Sequence, residues 1–353
     1  MQAVLYDRFG GSLRLEQLAD PRPPEDGAVI AVRATGVCRS DWHGWQGHDP
    51  EIDALPHVPG HEFAGEIVAV GRQVERWRPG ERVTMPFVAG CGKCIECREG
   101  AAQVCDHQFQ PGFSGWGSFA ELVAVRYAEF NLVRLPEEMD FVTAACFGCR
   151  LATAYRAVAL QGRAVEGDWV AVHGCGGLGL SAIMVAAALG ARAIAVDVSD
   201  EALALAERFG AVHRLNARQV DDIPAAIRQL TGRGADLSLD TCGSGETAAN
   251  SMGSLRKRGR HVQVGLLVGE HARPRLPMEL VIGRELEIYG SHGLAAADYG
   301  PLLALALAGQ LVPRQLVHRL IPLEEAPQAL AEMGDFRYPG VTVIEPLGAS
   351  TSE

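Results

Sequence analysis

The sequence predicts an α/β protein with two domains, one built on a doubly wound parallel sheet and one mainly of β-strands. Its 353 residues exceed the size at which one hydrophobic core usually stops growing, so two cores are expected. From Asp168 to Gly290, short β-rich runs alternate with helical runs, which is typical of a parallel sheet covered by helices. Before about residue 146, Pro and Gly separate short β-type runs, as in an antiparallel, loop-rich domain.

The mainly β domain is predicted from three runs with strand-like composition: GAVIAVRATG, EFAGEIVAVG and FAELVAV. The parallel sheet is predicted from six runs: WVAVH, AIAVD, VHRL, DLSLD, HVQVG and LEIYG. Helices are expected between these six, among them EALALAERF, which follows the cap residues Ser199 and Asp200 and ends at Gly210. The tail is expected to hold a helix at about 301–308 and a last strand in GVTVIEPL.

Composition and charge exclude several classes of protein. Hydrophobic residues make up 48% of the chain and charged residues 21%, which fits a globular protein rather than a disordered one. The net charge of -11 gives no reason to expect nucleic acid or an anionic membrane as a partner, so a small molecule is expected. The longest apolar stretches, LSAIMVAAALG and PLLALALAG, are shorter than the roughly 18 residues that cross a bilayer.

Cysteine usage indicates the compartment. The chain has nine cysteines, an odd number, and its first ten residues carry acid and base without the apolar stretch of a signal peptide. This combination favours metal ligands and free thiols over a disulfide framework. A cytoplasmic location is therefore expected.

A glycine-rich motif predicts a dinucleotide site. Gly174, Gly176 and Gly179 form G-x-G-x-x-G directly after the strand WVAVH and at the start of a helix. In that context the glycines permit a tight turn, close approach to a pyrophosphate and close packing of helix on strand, as in a Rossmann-type domain. Asp197 ends the next strand, where a carboxylate accepts hydrogen bonds from the ribose 2'-hydroxyl and repels a 2'-phosphate. The motif therefore predicts NAD rather than NADP.

Four cysteines in CGKCIECREGAAQVC predict a closed metal site. They lie at Cys91, Cys94, Cys97 and Cys105, a spacing suited to tetrahedral coordination of zinc. All four positions would be protein ligands, so the role of the zinc would be structural. An iron–sulfur cluster, which also takes four thiolates, and a chance group of free thiols are the alternatives.

A second, open metal site would form if three separated residues meet. Cys38 in CRSDWH, His61 in PGHEFAGEIVAVG and Cys149 in FGCRLATAY would supply two thiolates and one imidazole, leaving a fourth position for water or substrate. A histidine such as His61 is, taken alone, more often an ordinary hydrogen-bonded residue. The sequence does not show whether the three residues meet.

Together these motifs resemble the zinc-dependent alcohol dehydrogenases of the medium-chain dehydrogenase/reductase family over essentially the whole chain. Residues Gly60 to Val74 match the family signature G-H-E-x2-G-x5-G-x2-V, and the four-cysteine lobe and the glycine motif follow at the family's spacing. The resemblance implies a GroES-like catalytic domain over 1–149 with both zinc sites, an NAD-binding Rossmann domain over 150–291, and a return to the catalytic domain over 292–353. It also implies two zinc ions per chain, NAD as cofactor, and a homo-oligomer, either a tetramer or a dimer.

The resemblance also implies residue roles. Cys38, His61 and Cys149 would bind catalytic zinc, with Glu62 behind the metal as an exchangeable ligand, and the four lobe cysteines would bind structural zinc. Within CRSDWH, Arg39 would lie near the cofactor pyrophosphate, Ser40 would hydrogen-bond the substrate oxygen, Asp41 would orient His61, and His43 would pass the proton to solvent through the nicotinamide ribose. The remaining expected cofactor contacts are Thr153, Gly177, Leu178 and Val264.

One feature departs from the family pattern. Many relatives carry an arginine near the C-terminal strand that helps to clamp the pyrophosphate, whereas Val341 stands at the equivalent position here. Either Arg337 substitutes from nearby or the affinity for the cofactor is lower. Cys146, Cys175 and Cys242 have no assigned role and are expected to be small buried residues. Five aromatic residues are expected either to narrow the substrate pocket or to belong to the core: Trp42, Trp45, Phe87, Phe113 and Trp116.

The predicted function is hydride transfer between NAD and an alcohol/aldehyde or alcohol/ketone pair. A polyol or amino-alcohol dehydrogenase on the same scaffold is the alternative within the class. A zinc-stabilised NAD-binding protein without catalysis is the alternative from a different class. The complete set of Cys38, His61, Cys149, Ser40 and His43 argues against the second alternative.

Overall fold

The structure is a computed structural model that describes residues 1–335 and 340–346. The strands in these residues are β1 (Gln2–Leu5), β2 (Arg14–Gln17), β3 (Ala28–Val37), β4 (Phe63–Val70), β5 (Arg82–Thr84), β6 (Leu122–Val125), β7 (Val133–Arg134), β8 (Trp169–His173), β9 (Arg192–Asp197), β10 (Ala211–Asn216), β11 (Ala235–Asp240), β12 (Leu255–Gln263), β13 (Glu287–Gly290), β14 (Val317–Pro322) and β15 (Val341–Glu345).

The helices in the same residues are α1 (Arg39–Trp45), α2 (Ile95–Arg98), α3 (Ala128–Asn131), α4 (Phe141–Ala145), α5 (Arg150–Tyr155), α6 (Gly177–Ala188), α7 (Asp200–Arg208), α8 (Ile223–Thr231), α9 (Gly245–Gly253), α10 (Met278–Arg284), α11 (Tyr299–Leu307) and α12 (Ala326–Glu332). A π-helical segment, Arg156–Gln161, continues α5. Among the described residues, no helix combines the length and the apolar character that a membrane crossing requires.

The chain divides into two compact units. The first contains Met1–Ala152, Gly293–Leu303 and the described residues from Pro313 onward, and the second contains Thr153–His292 and Ala304–Val312. The tail therefore contributes to both units, because Ala304–Val312 packs with the second.

The first unit is built on a seven-stranded sheet in the order β14-β15-β3-β4-β5-β7, with β6 paired to β3. Only β14 and β15 pair in parallel, and the other neighbours are antiparallel. Strand β3 is buried along nearly its whole length because neighbours flank it and apolar clusters cover it. It delivers the chain to Cys38 and α1, and β4 starts directly after His61 and Glu62.

The second unit contains a six-stranded parallel sheet in the order β10-β9-β8-β11-β12-β13. Its central strand β11 is buried at every position, as expected for a strand covered on both faces. The strand order reverses direction between β8 and β11, so the loops after these two strands flank a crevice where ligands of such sheets bind. The predicted α/β class with a doubly wound sheet and a mainly β domain is confirmed.

Candidate metal centres and cofactor site

The structure brings Cys38, His61 and Cys149 together in the first unit. Their ligand atoms, two Sγ atoms and one imidazole nitrogen, all lie within 4.8 Å of one another. Cys38 follows β3, His61 precedes β4, and Cys149 precedes α5, so three ends of regular elements converge on one point. The set supplies three ligands, one fewer than the four of a tetrahedral zinc, as in a catalytic site that binds water or substrate at the fourth position.

Asp41 organises this group. Its Oδ1 accepts hydrogen bonds from His61 Nδ1 at 2.7 Å and from the Gly60 backbone N–H at 3.1 Å. Its Oδ2 accepts the Cys38 N–H at 3.0 Å. Although Asp41 is only 1% exposed, these three donors satisfy its charge. The carboxylate therefore fixes two candidate ligands and the tautomer of one of them.

The hydrogen bonding and protonation of the group suit a bound cation. Because Asp41 occupies Nδ1 of His61, Nε2 remains, and this atom is buried without a hydrogen-bond partner among the described residues. The neighbouring Cys149 thiol lowers the pKa of Cys38, and Cys38 in turn raises the pKa of Cys149. An orphaned imidazole nitrogen beside one buried and one half-buried thiol, of which Cys38 is favoured as the thiolate, is the environment that a thiophilic dication stabilises. The donor set fits zinc.

Glu62 is not a member of this ligand group. One oxygen of its carboxylate lies 2.7 Å from a guanidinium nitrogen of Arg150, and the other accepts the Arg150 backbone N–H at 3.0 Å. Both side chains are buried, and burial raises the pKa of Glu62 to about 7 while Arg150 opposes that shift. The sequence analysis missed this pair, because nothing in the residue pattern shows that Arg150 turns inward.

The four lobe cysteines also meet. Their Sγ atoms lie within 4.8 Å of one another, and those of Cys94 and Cys105 are 3.6 Å apart. Burial acts to raise the pKa of Cys91, but the backbone N–H groups of Lys93 and Cys94 lower it to about 6. Backbone donors aimed at sulfur stabilise thiolates, the form that binds metal.

A buried asparagine closes the base of this lobe. Asn131 accepts the Gly90 N–H at 2.8 Å and donates to the Gly90 carbonyl at 2.9 Å. The glycine precedes Cys91, so the contact fixes the start of the cysteine loop. Sequence reasoning did not identify Asn131, because a single polar residue 26 or more positions from the lobe carries no local signal.

In the second unit, the glycine motif forms the loop between β8 and α6. Gly174 has φ of +101°, and a Cβ there would lie 2.5 Å from the Sγ of Cys242. A Cβ on Gly179 would lie 1.8 Å from the Gly174 carbonyl oxygen, so the helix can approach the strand only with glycine. A Cβ on Gly176 would meet nothing within 4 Å among the described residues, so a ligand can reach the backbone at the start of α6.

Asp197 closes the other side of this loop. Its Oδ2 accepts the Cys175 N–H at 2.6 Å and its Oδ1 accepts the Ser199 N–H at 2.9 Å. Each oxygen retains acceptor capacity, so the carboxylate can still bind a ribose hydroxyl. The open start of α6 and this carboxylate together fit a dinucleotide.

The other expected cofactor contacts have these positions. Gly177 and Leu178 lie in the first turn of α6 and are half-buried, and Val264 is buried directly after β12. Thr153 lies in α5, buried, and its Oγ1 has no hydrogen-bond partner in the described part of the chain.

The Arg39 guanidinium lies over the Trp42 ring, 4.1 Å from its centroid, and donates to the Met333 carbonyl. Val341 begins β15 and is buried, so its position lies inside the sheet. Arg337, the substitute named for the missing family arginine, lies outside the described residues.

Two of the expected pocket aromatics lie against the metal group. The ring centroids of Phe87 and Phe113 are 5.8 and 5.2 Å from that of His61. Trp42 and Trp45 pack against the core of the first unit instead, and Trp45 Nε1 donates to the Gly11 carbonyl at 2.9 Å. Trp116 is 41% exposed.

Of the three unassigned cysteines, Cys146 and Cys175 are buried as expected, but the expectation for Cys242 is wrong. Cys242 is exposed, because it lies in the loop after β11, where the chain leaves the buried sheet.

Comparison with known proteins identifies relatives of both units. Residues 24–137 match the family model for the alcohol dehydrogenase GroES-like domain, and residues 177–308 match that for the zinc-binding dehydrogenases. An NAD-dependent alcohol dehydrogenase of Sulfurisphaera tokodaii is 33% identical over 98% of this chain and 100% of its own. A sorbitol dehydrogenase of Halalkalibacterium halodurans is 35% identical over 86% of this chain and 88% of its own.

Solved structures show the same similarity. The alcohol dehydrogenase TADH from Thermus sp. ATN1 superimposes with a TM-score of 0.88 at 32% identity, covering 98% of this chain and 99% of that one.

Proposed function

Because the chain belongs to the zinc-dependent alcohol dehydrogenases of the medium-chain dehydrogenase/reductase family, we propose that it interconverts an alcohol with an aldehyde or ketone, using NAD. The observation that carries this proposal is the group of Cys38, His61 and Cys149, in which the buried His61 has an imidazole nitrogen with no hydrogen-bond partner among the described residues. A protein that used zinc only for stability would have no need of an open ligand set.

The chain's residues divide the work as follows. Cys38, His61 and Cys149 hold the catalytic zinc, and the four lobe cysteines hold a structural zinc. When bound, zinc polarises the substrate oxygen as a Lewis acid and NAD accepts a hydride. Ser40, on α1, accepts the proton of the substrate hydroxyl, and His43, one helical turn further, is its outlet to solvent.

The cofactor is held by the second unit. The backbone at the start of α6 receives the pyrophosphate, and Asp197 binds the adenosine ribose. As the resemblance implies, Arg39 would contribute positive charge, and Thr153 and Val264 would contact the nicotinamide half. Glu62 remains a candidate zinc ligand only if it leaves Arg150, and the 2.7 Å ion pair opposes that exchange.

The aromatic rings beside His61 favour apolar substrates. Phe87 and Phe113 present hydrocarbon next to the metal group, whereas a polyol needs several hydrogen-bond partners there. We therefore expect aliphatic and aromatic alcohols to be better substrates than polyols and amino alcohols.

Domain roles, assembly and location follow the same proposal. Residues 1–149 with most of 292–353 form the catalytic domain, residues 150–291 form the cofactor domain together with the tail segment Ala304–Val312, and the protein acts in the cytoplasm. A homo-oligomer, a dimer or tetramer, is supported by exposed apolar side chains on α10, where Ile282 is 81% and Met278 51% exposed. These residues precede the edge strand β13.

A screen of NAD-linked alcohol oxidation tests this function. Primary, secondary, aromatic and polyol alcohols are supplied with NAD, and NADH is measured by absorbance. We expect faster turnover of apolar alcohols than of polyols. A Ser40→Ala variant should still bind NAD, but it should oxidise alcohol more slowly than the unmodified enzyme, by about 10²-fold or more. Tight NAD binding without turnover of any alcohol would instead support the non-catalytic alternative.

A further inference from the structure

Two histidines that lie outside the metal group contact each other. His43 is on α1 and His48 follows the helix, and their Nδ1 atoms are 3.0 Å apart. The rings are 5.3 Å apart between centroids. A hydrogen bond between two imidazoles requires an N–H on one ring and an unprotonated nitrogen on the other, so one proton lies between the two Nδ1 atoms.

The backbone fixes this contact. Gly47 has φ of +77° and its N–H donates to the Gly44 carbonyl at 2.9 Å, which ends the helix with a left-handed residue. The His48 N–H then donates to the His43 carbonyl at 2.9 Å. The turn therefore folds His48 back onto the helix, and the ring contact does not depend on two free side chains meeting by chance.

The two rings differ in their access to water. His43 is half-buried and His48 is exposed. The Trp42 ring lies edge-on to both, with centroids 5.1 Å from His43 and 5.9 Å from His48. The two rings therefore form a path from a half-buried position on α1 to the solvent, and the Trp42 ring lies along this path.

We propose that His48 is a further proton-carrying residue, which receives the proton that His43 collects during alcohol oxidation and releases it to water. This inference rests on the proposed function. It assigns a role to a residue outside CRSDWH. The proton would then reach water through two imidazoles, those of His43 and His48, rather than through His43 alone.

The proton balance of the step is complete without a co-reactant. The O–H bond of the alcohol breaks as its proton passes to Ser40, whose own hydroxyl proton moves on toward His43. An N–H bond then forms at Nε2 of His43 as its Nδ1–H bond breaks, and that second proton forms a new bond with Nδ1 of His48. His48 then loses its own Nε2 proton to water. Exchange of the ring protons with water restores both tautomers, and reversal of the same steps supplies a proton for carbonyl reduction.

Burial and the charges around His43 explain why it needs a partner. Burial lowers its pKa to about 4, with further lowering by Arg39 and His48, while Cys38 and Asp49 act to raise it. A ring with so low a pKa does not retain a proton at neutral pH, so it transmits the proton only if an acceptor is in contact. His48 is that acceptor, and its exposed position lets water stabilise the charged form.

Histidine NMR tests the pairing without substrate or cofactor. Zinc-loaded, NAD-free enzyme with ¹³C-labelled histidine rings is titrated, and the two signals are assigned from the His43→Gln and His48→Gln variants. Because His48 lowers the pKa of His43, its removal should raise the His43 midpoint by about half a pH unit or more. His318→Gln, which removes an exposed histidine on β14, should leave the midpoint in place. An unchanged His43 midpoint in His48→Gln would overturn the pairing.

Kinetics test the outlet. At neutral pH, His48→Gln should oxidise alcohol about three- to tenfold more slowly, with the rate recovering in alkaline buffer, because water is a weaker acceptor than imidazole. The double variant His43→Gln/His48→Gln should be no slower than His43→Gln alone, since the effects of residues in one relay are not additive.

Two kinetic outcomes would overturn the inference and leave the proposed function intact. One is a rate loss in the double variant equal to the product of the two single losses, and the other is a His48→Gln pH profile equal to that of the unmodified enzyme. Unmodified enzyme that oxidises no alcohol would overturn the proposed function and with it the outlet, while the NMR result still decides the pairing.

Discussion

Asp41 and Asp197 are the carboxylates that hold the two candidate sites in shape. Asp41 accepts hydrogen bonds from Cys38, Gly60 and His61, so it joins the segment after β3 to the segment before β4. Asp197 joins the end of β9 to the glycine loop through the Cys175 N–H. The sequence predicted a ribose contact for Asp197 but not this loop contact, because a backbone N–H leaves no mark in a residue pattern.

The charge of Asp197 predicts cofactor choice. Asp197→Asn keeps an oxygen that can accept the Cys175 N–H but removes the repulsion of a 2'-phosphate, so the preference for NAD over NADP should fall by about tenfold or more. The ratio of kcat/KM values for the two cofactors measures it. Asp168→Asn makes the same charge change just before β8, at the end of the parallel strands opposite to Asp197, and should leave the ratio unchanged. Equal use of both cofactors by the unmodified enzyme would contradict the assignment.

At the scale of elements, the parallel sheet was predicted well where strands are apolar and less well where they are charged. WVAVH and DLSLD coincide with β8 and β11 to within a residue. HVQVG is only the end of β12, which begins earlier, at Leu255. The missed part contains Arg256, whose Nε lies 2.5 Å from Asp236 Oδ1, so a tertiary ion pair offsets the poor strand propensity of a charged segment.

Two buried histidines in the parallel sheet should make the folded protein less stable at acidic pH. His173 ends β8 and His261 lies in β12, and both are 1% exposed. Burial lowers the pKa of His173 to about 3, with a contribution from His261, and lowers that of His261 to about 4. Since the unfolded chain takes up these protons near pH 6.5 and the folded chain does not, stability is complete above that pH and falls as the pH decreases toward 4.

Replacing one of these histidines isolates its contribution. His173→Leu should lose less stability than the unmodified protein between pH 7 and pH 5, by on the order of 2 kcal/mol. Thermal unfolding midpoints at a series of pH values measure the difference, and His213→Gln, a change at a half-buried histidine in β10, should follow the unmodified protein. Parallel curves for all three proteins would show that His173 takes up its proton in the folded state.

At the scale of the whole molecule, the sequence predicted the kinds of site but not the full set of residues that build them. Cysteine spacing located the closed lobe because all four ligands are near in sequence. The open group joins residues 38, 61 and 149, whose meeting depends on the fold, and only the resemblance to a family joined them in advance. The Arg150–Glu62 pair and the His43–His48 contact belong to this chain's packing, and neither has a sequence pattern.

The central claim is that the chain holds one zinc in each group, with distinct roles. Zinc per chain, measured by elemental analysis of protein purified without added metal, tests it most directly. We expect about two equivalents in the unmodified protein and about one in Cys38→Ala, which should stay folded because its structural lobe is intact. Cys94→Ala should also lose one equivalent, and it should unfold at lower temperature because metal binding at a closed site is coupled to folding. One equivalent or iron in the unmodified protein, or two equivalents retained by Cys38→Ala, would contradict the account.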